Sequence, residues 1–153
     1  MNTLVLYDSK FGNTEEVAQV VAGRLEGLGP VRVRPIASAD LRLSGRVDLL
    51  VVGGPTQAHG MTVEMRAFTE ALTTAALAGT QVAVFDTRFR LPVLLTGSAA
   101  RAIARRLRQA GATVVAPPVS FFVTRGGEPQ LETRELDRAA AWAGTLQVSL
   151  PTV

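Results

Sequence analysis

Five short apolar runs alternate with amphipathic helical patterns along this 153-residue chain. The runs begin at Thr3, Val31, Val47, Gln81 and Thr113. When a helix separates two strands, the crossover returns the chain to the same edge and the strands pair in parallel. The alternation therefore predicts an α/β fold, an open five-stranded parallel sheet with helices on both faces. We expect residues 1–153 to form a single domain of this kind.

The residue pattern of each run indicates its place in the sheet. Val31-Arg32-Val33-Arg34 alternates strictly, which is typical of an edge strand with one buried face. The run from Val47 to Gly53 is apolar on both faces and is predicted to be central. The fifth strand starts at Thr113 and resumes at Phe121. Pro117-Pro118 between them cannot donate to a ladder, so this strand is predicted to lie at an edge or to be split.

The helical patterns have apolar residues at spacings of three and four. They predict helices over 14–28, from about Thr62, from Gly97-Ser98 to Gly111, and from Arg134 to Val148. Asn13 and Glu16 are interpreted as a capping pair at the start of the first helix. Residues 37–46 form a polar connection to which no element is assigned, and residues 86–96 are predicted to be a loop.

The turn between the first strand and the first helix reads Ser9-Lys10-Phe11-Gly12-Asn13-Thr14. The first N–H groups of a helix lack backbone acceptors, and the helix dipole adds positive potential there. Ser9 and Thr14 add hydroxyl donors, and Gly12 allows a positive φ and close backbone approach. We predict a phosphate-binding turn, and the alternative is an ordinary strand–turn–helix without a ligand.

The ATP-binding and dinucleotide-binding glycine patterns are both absent from this turn. The residues from Ser9 to Thr14 instead resemble the flavodoxin motif T/S-x-T-G-x-T. The resemblance implies a sheet of order 2-1-3-4-5 and the cofactor FMN, whose phosphate is held by hydroxyls and backbone amides. Phe11 replaces the middle hydroxyl residue of the motif. Lys10 either compensates by its charge or is a solvated surface lysine.

The resemblance also implies that FMN lies outside the carboxyl ends of the first and third strands, where the strand order switches. The loop Pro55-Thr56-Gln57-Ala58-His59-Gly60 would then cover one face of the flavin. His59-Gly60 stands where the family commonly has an aromatic residue and a glycine, the glycine allowing a peptide flip. The alternative for His59 is an exposed loop histidine. No long insertion interrupts the fifth strand, as in short-chain flavodoxins.

The segment Asp86-Thr87-Arg88-Phe89 would meet the second flavin face and its pyrimidine edge. The tyrosine that the family usually offers here is missing. Phe89 is interpreted as the one aromatic residue available for stacking, or as a hydrophobic anchor. Asp86 would accept from the flavin N3–H or cap the loop, and Arg88 would place a cation near the N1–O2 edge. With these replacements we expect weaker FMN binding than is typical of the family.

Composition excludes several other classes of protein. The chain has no cysteine and one histidine, so disulfides, iron–sulfur clusters and structural zinc are not expected. No apolar run approaches the roughly 18 residues of a membrane span. Met1 leads directly into the first strand with no signal-peptide pattern, and we expect a cytoplasmic protein. The net charge is +3, and the arginines clustered over 101–108 are interpreted as a solvated helix face rather than a nucleic-acid site.

These observations together predict an FMN-binding electron carrier that works between a reductase and acceptor proteins, with an acidic partner among them. Three alternatives stay open. One is a flavin-dependent oxidoreductase that resembles menaquinone-dependent protoporphyrinogen oxidase. Another is a quinone or NAD(P)H reductase, although the sequence shows no nicotinamide site, and the last is a flavin-free binding module of the same fold. A serine hydrolase is disfavoured because G-x-S-x-G is absent. A phosphoacceptor domain is disfavoured because Gly53, not aspartate, ends the third strand.

Overall fold

Parallel strands form one sheet through the centre of the molecule, in a computed structural model that describes residues 1–43 and 45–149. The strands are β1 (Thr3–Tyr7), β2 (Val31–Pro35), β3 (Leu49–Pro55), β4 (Gln81–Phe89), β5 (Thr113–Val114) and β6 (Val119–Val123). Their order is β2-β1-β3-β4-β5, and β6 also pairs with β4. The predicted order 2-1-3-4-5 is confirmed.

Helices cover both faces of this sheet, as predicted. They are α1 (Asn13–Leu25), α2 (Val63–Ala71), α3 (Thr74–Leu77), α4 (Val93–Thr96), α5 (Ala99–Gln109) and α6 (Glu135–Ser149). Buried residues of α1 and α6 pack against one face, and those of α2 and α5 pack against the other. The short helices α3 and α4 were not predicted.

The central and edge positions follow the hydrophobic patterns. In β3, Leu49 and Val51 contact the α1–α6 layer, whereas Leu50 and Val52 contact the α2–α5 layer, and all four are fully buried. In β2 the arginines are exposed and the valines between them are half-buried. Because a central strand has apolar side chains on both faces and an edge strand on one, the two patterns separate the centre from the edge.

The fifth strand of the sheet is split into β5 and β6, as Pro117-Pro118 predicted. β5 pairs with the start of β4 at Gln81 and Val82, and β6 pairs with its end over 85–89. The prediction that residues 86–96 are all loop is therefore wrong. Residues 86–89 continue β4 because β6 pairs with them on one side, and the end of β3 pairs with Asp86 and Thr87 on the other.

The start of α1 also differs from the prediction. Gly12, with φ 90°, is the N-cap residue, and as a glycine it has no side chain with which to cap the helix. The side-chain amide of Asn13, which was predicted to cap the helix, instead donates through Nδ2 to the carbonyl oxygen of Pro129 at 2.8 Å. Ser9 Oγ accepts from the N–H groups of Gly12 (3.1 Å) and Glu15 (3.4 Å), so the first residue of the turn does what the predicted capping pair would have done.

In the part of the chain that the structure describes, no helix has the length and apolar character needed to cross a membrane. The same part of the chain contains no group of three or more histidine, aspartate or glutamate residues placed to hold a metal ion.

Candidate functional site

A cavity of about 340 Å³ opens where β1, β3 and β4 end. It lies beside β1, where the strand order reverses, which is where open parallel sheets bind ligands. Its volume falls in the range of small-molecule sites, about 300–1,000 Å³. Three segments supply most of the lining, namely the turn after β1, the loop after β3 and the end of β4.

Most of the predicted site residues line this cavity. They are Ser9, Lys10, Phe11, Asn13, Thr14, Pro55, Thr56, Gln57, Ala58, Thr87, Arg88 and Phe89. Gly12, His59, Gly60 and Asp86 are not part of the lining.

Two lining residues, Val123 and Pro129, were not predicted. Val123 ends β6, which pairs with β4. Because the carboxyl ends of parallel strands meet at one edge of the sheet, the sequence could have indicated that the end of this strand reaches the cavity. Pro129 is brought in by the hydrogen bond from Asn13, and no sequence pattern indicates that contact.

The turn after β1 presents hydrogen-bond donors. The N–H groups of Phe11, Asn13 and Thr14 have no acceptor among residues 1–43 and 45–149. Ser9 Oγ accepts two N–H groups, so its own O–H stays available to donate to a ligand. Together with the dipole of the 13-residue α1, these donors favour an anionic group.

The hydroxyl of Thr14 lies inside the protein rather than on the open turn. Its Oγ1 is 3.0 Å from Oγ1 of Thr87, and both residues are buried. This bond joins the start of α1 to the end of β4. The hydroxyl pair therefore sets the distance between two of the segments that line the cavity.

Lys10 lies on the lining with its charge already paired. Its Nζ donates to Oε1 of Glu64 at 2.8 Å. This hydrogen bond raises the pKa of Lys10 and lowers the pKa of Glu64. The ion pair connects the turn to the first turn of α2, so Lys10 contributes little uncompensated charge to the cavity.

The loop after β3 closes in a tight hairpin. The N–H of Gln57 donates to the carbonyl of Gly60, the N–H of Gly60 donates to the carbonyl of Gln57, and both distances are 2.9 Å. Ala58 and His59 between them have φ values of 47° and 68°, the left-handed conformation of a type I′ turn. The side chain of His59 is exposed, and its backbone bridges to Gly97. Its role beside a cofactor stays a prediction.

Asp86 lies under the site, fully buried. Its Oδ2 accepts from the Ser98 hydroxyl at 2.7 Å, the N–H of Ala100 at 2.9 Å and the Thr56 hydroxyl at 3.2 Å. Oδ1 is buried and has no partner among the described residues. Of the two roles predicted for Asp86, these bonds are those of a cap, here at the start of α5.

Arg88 is held both by β6 and by the segment that follows β4. Its Nε donates to Ser120 Oγ at 2.9 Å, and its Nη1 donates to the Leu91 carbonyl at 2.7 Å and to Thr96 Oγ1 at 3.3 Å. Its guanidinium also lies 5.0 Å from the centre of the Phe122 ring. These contacts fix the side chain against α4 while part of it lines the cavity.

Two aromatic side chains line the cavity from different segments. Phe89 comes from β4 and is 38% exposed, and Phe11 comes from the turn and is 56% exposed. The prediction that Phe89 is the one aromatic residue available there is therefore wrong. Trp142 is not a candidate because it packs edge-on against Phe85 and Phe121 in the core.

A second cavity, of about 450 Å³, adjoins the turn and shares Phe11, Asn13 and Pro129 with the first. Its ionisable lining residues are Glu16, Glu128, Glu132, Arg134 and Asp137. Four carboxylates against one arginine oppose the entry of a phosphate, because like charges repel. An anionic ligand is therefore favoured on the other side of the turn.

Comparison with solved structures finds the same architecture in flavodoxins. No protein-family model matches the chain, and no curated protein sequence is significantly similar to it. Flavodoxin 1 of Bacillus cereus is 21% identical, with a TM-score of 0.80, over 99% of this chain and 100% of that one.

Two further structures agree with it. Flavodoxin 2 of the same organism is 20% identical, with a TM-score of 0.81, over 98% of this chain and 100% of that one. A short-chain flavodoxin associated with a PDU bacterial microcompartment is 23% identical, with a TM-score of 0.75, over 98% and 99% of the two chains. The chain thus has the flavodoxin-like fold over nearly its whole length.

Proposed function

We propose that the chain binds FMN in the cavity at the ends of β1, β3 and β4 and acts as an electron carrier. The observation that carries the proposal is the turn from Ser9 to Thr14, where unpaired N–H groups and a free hydroxyl donor meet a cavity of ligand size. The resemblance of this turn to the flavodoxin motif and the flavodoxin-like fold support the same ligand.

The phosphate would be held by the residues of the turn. Ser9 donates its O–H, and Phe11, Asn13 and Thr14 donate their backbone N–H groups. Hydrogen bonds to a charged acceptor contribute about 1.5–3 kcal/mol each, roughly twice the neutral value. Because Lys10 is paired with Glu64, neutral donors and the helix dipole supply most of the attraction.

The ring system would lie between the loop after β3 and the end of β4. Phe11 and Phe89 are the aromatic side chains on this lining, and Pro55, Ala58 and Val123 add apolar surface that excludes water. FMN, when bound, supplies the transfer of one or two electrons. The protein's part is to bind it, orient it and limit its contact with solvent.

A carrier is favoured over a substrate-specific oxidoreductase by the ionisable groups of the cavity. Lys10 and Arg88 are the ionisable side chains of its lining, and both are engaged by other residues. No free acid or base among these lining residues stands ready to exchange protons with a substrate. We therefore propose transfer from a reductase to acceptor proteins, in the cytoplasm.

A ligand titration tests the phosphate site. The purified chain should bind FMN at least about 100-fold more tightly than riboflavin, since several charge-assisted hydrogen bonds depend on the phosphate. Ser9→Ala should weaken FMN binding roughly 10- to 100-fold and change riboflavin binding little. Ser38→Ala, an exposed serine remote from the cavity, is the matched control. Flavin fluorescence measures the affinity of each of the three proteins for both flavins.

Equal affinities for FMN and riboflavin would show that the turn holds no phosphate. A colourless chain that binds neither flavin would favour the flavin-free binding module. If FMN binds, rapid reoxidation by a quinone would favour the oxidoreductase alternative. Efficient reduction by a flavodoxin reductase with slow reoxidation by quinone would favour the carrier.

A further inference from the structure

The helix α4 presents apolar side chains to solvent beside the proposed FMN cavity. Leu94 is 93% exposed and Leu95 is 60% exposed. Phe89, which lines the cavity, is also partly exposed. A single exposed leucine needs no explanation, but neighbouring apolar side chains beside a ligand site are typical of a protein-binding surface.

α4 is held in place from beneath. The Arg88 guanidinium donates to the Leu91 carbonyl before the helix and to the Thr96 hydroxyl at its end. Gly97 donates to the Val93 carbonyl at 2.6 Å, which closes the turn. The two leucines therefore stand on a preorganised support, and little conformational entropy is lost when a partner covers them.

Positive charge is concentrated in the same part of the chain. Residues 87–127 contain seven arginines and no aspartate or glutamate, whereas the rest of the chain has nine basic and thirteen acidic residues. Arg101 and Arg105 are exposed on one face of α5, which is joined to α4 through Gly97 and Ser98. Arg101 lies in the first turn of α5, near the end of the sheet where the cavity opens.

We infer that Leu94, Leu95, Arg101 and Arg105, here called the leucine–arginine face, form the docking surface for an acidic partner protein. The partner would cover the leucines with an apolar contact and place carboxylates opposite the arginines. The redox role of that partner rests on the proposed function. A lipid surface is less favoured, because membrane-binding amphipathic helices carry lysine and arginine on their polar face and α4, Val93-Leu94-Leu95-Thr96, has neither.

Cytochrome c and its succinylated form provide matched protein probes. Native cytochrome c has a basic surface, and succinylation replaces the lysine charges with carboxylates on the same scaffold. The chain loaded with FMN, reduced beforehand with dithionite and freed of excess reductant, should pass its electrons to the succinylated ferric form at least about tenfold faster than to the native form at low ionic strength. Rising salt should reduce that difference, because exposed charges are screened beyond about 10 Å at 0.1 M salt.

Variants assign the effect to the proposed surface. Arg101→Glu with Arg105→Glu should slow association with succinylated cytochrome c about tenfold or more, mainly through the on-rate. Leu94→Ser with Leu95→Ser should raise the dissociation constant about fivefold or more, mainly through the off-rate. Arg32→Glu with Arg34→Glu on the opposite edge strand, and Leu41→Ser, are the matched controls for charge and apolar exposure.

Binding of succinylated cytochrome c to the flavin-free chain, followed by biolayer interferometry, gives a readout that does not depend on electron transfer. Failure to bind FMN would contradict the proposed function, whereas the docking surface would still be tested by this binding. Equal effects of the face variants and the control variants would overturn the inference. Binding to vesicles of equal phosphatidylglycerol and phosphatidylcholine that needs the leucines, without binding of the acidic probe, would assign the face to a membrane and also overturn it.

Discussion

At the scale of single residues, Gly97 lies near the site at a position where both the backbone conformation and the available space require glycine. Its φ is 71°, and an added Cβ would lie 2.0 Å from the carbonyl oxygen of His59. Its backbone bridges to the His59 backbone, which occupies a left-handed conformation of its own. A glycine in the segment between α4 and α5 thus allows the hairpin after β3 to approach closely, and any side chain there must displace the hairpin.

We predict that Gly97→Ala destabilises the protein more than Gly79→Ala. Gly79 has a nearly identical φ of 75°, with nothing within 4 Å of an added Cβ. Both changes cost about 1–2 kcal/mol for a positive φ, and Gly97→Ala adds an overpacking cost on the order of 1–3 kcal/mol. Urea denaturation of both variants measures the difference. Equal losses would mean that the contact between Gly97 and His59 relaxes freely.

At the scale of elements, the first turn of α5 is tied to two strands through one carboxylate. Asp86 at the end of β4 accepts from Ser98 and Ala100 at the start of α5, and from Thr56 after β3. Thr56 Oγ1 in turn accepts from the N–H of Ala99 at 3.0 Å. This network satisfies orphan N–H groups of the helix and fixes the loop that lines the cavity.

Asp86→Ala should destabilise the protein by about 2–4 kcal/mol, because three donors, two of them buried, lose their acceptor. Thr73→Ala is the comparison, since Thr73 caps the short and exposed α3 by a single bond and should cost about 1 kcal/mol. Thermal and chemical denaturation both measure these losses. If Asp86→Ala costs no more than Thr73→Ala, the network contributes little beyond an ordinary cap.

At the scale of the whole molecule, stability at acidic pH depends in part on one carboxylate near the start of the central strand. Asp48, just before β3, accepts from the N–H of Asn2 at 2.7 Å and from Arg46 Nε at 2.7 Å. The hydrogen bond from the Asn2 N–H contributes most to lowering the pKa of the Asp48 carboxyl from its ordinary value of 3.8. The hydrogen bond from the Arg46 guanidinium lowers this pKa further. This carboxylate links the first residues of the chain to the central strand.

A group whose pKa is lowered by folding stabilises the protein above its unfolded pKa, and this stabilisation is lost as pH falls through its folded pKa. Asp48→Asn should therefore be less stable than the natural protein at pH 7, and the gap should close as pH falls below about 4. Denaturant titrations from pH 3 to 7 follow the gap. Glu128→Gln, at an exposed loop carboxylate, is the control. A gap that stays constant over this range would contradict the ionic contribution of Asp48.

Local patterns were enough to predict the alternation of strands and helices, the edge position of β2 and the split of the fifth strand, because alternation marks one buried face, a continuous apolar run marks two, and proline removes a ladder donor. The strand order and most of the cavity lining were predicted from the resemblance of residues 9–14 to the flavodoxin motif. Because parallel strands bring their carboxyl ends to one edge, the sequence also predicts that the turn from Ser9 to Thr14 and the loop after β3 lie together.

The remaining features depend on contacts between residues far apart in the sequence. β4 extends to Phe89 because β6 and the end of β3 both pair with it, and no local pattern in 86–89 contains that information. The direction of Phe11 into the cavity and the burial of Asp86 beneath α5 likewise depend on neighbours many residues away. Sequence periodicity determines which face of an element is buried, whereas only the packed sheet decides which partners complete its hydrogen bonds.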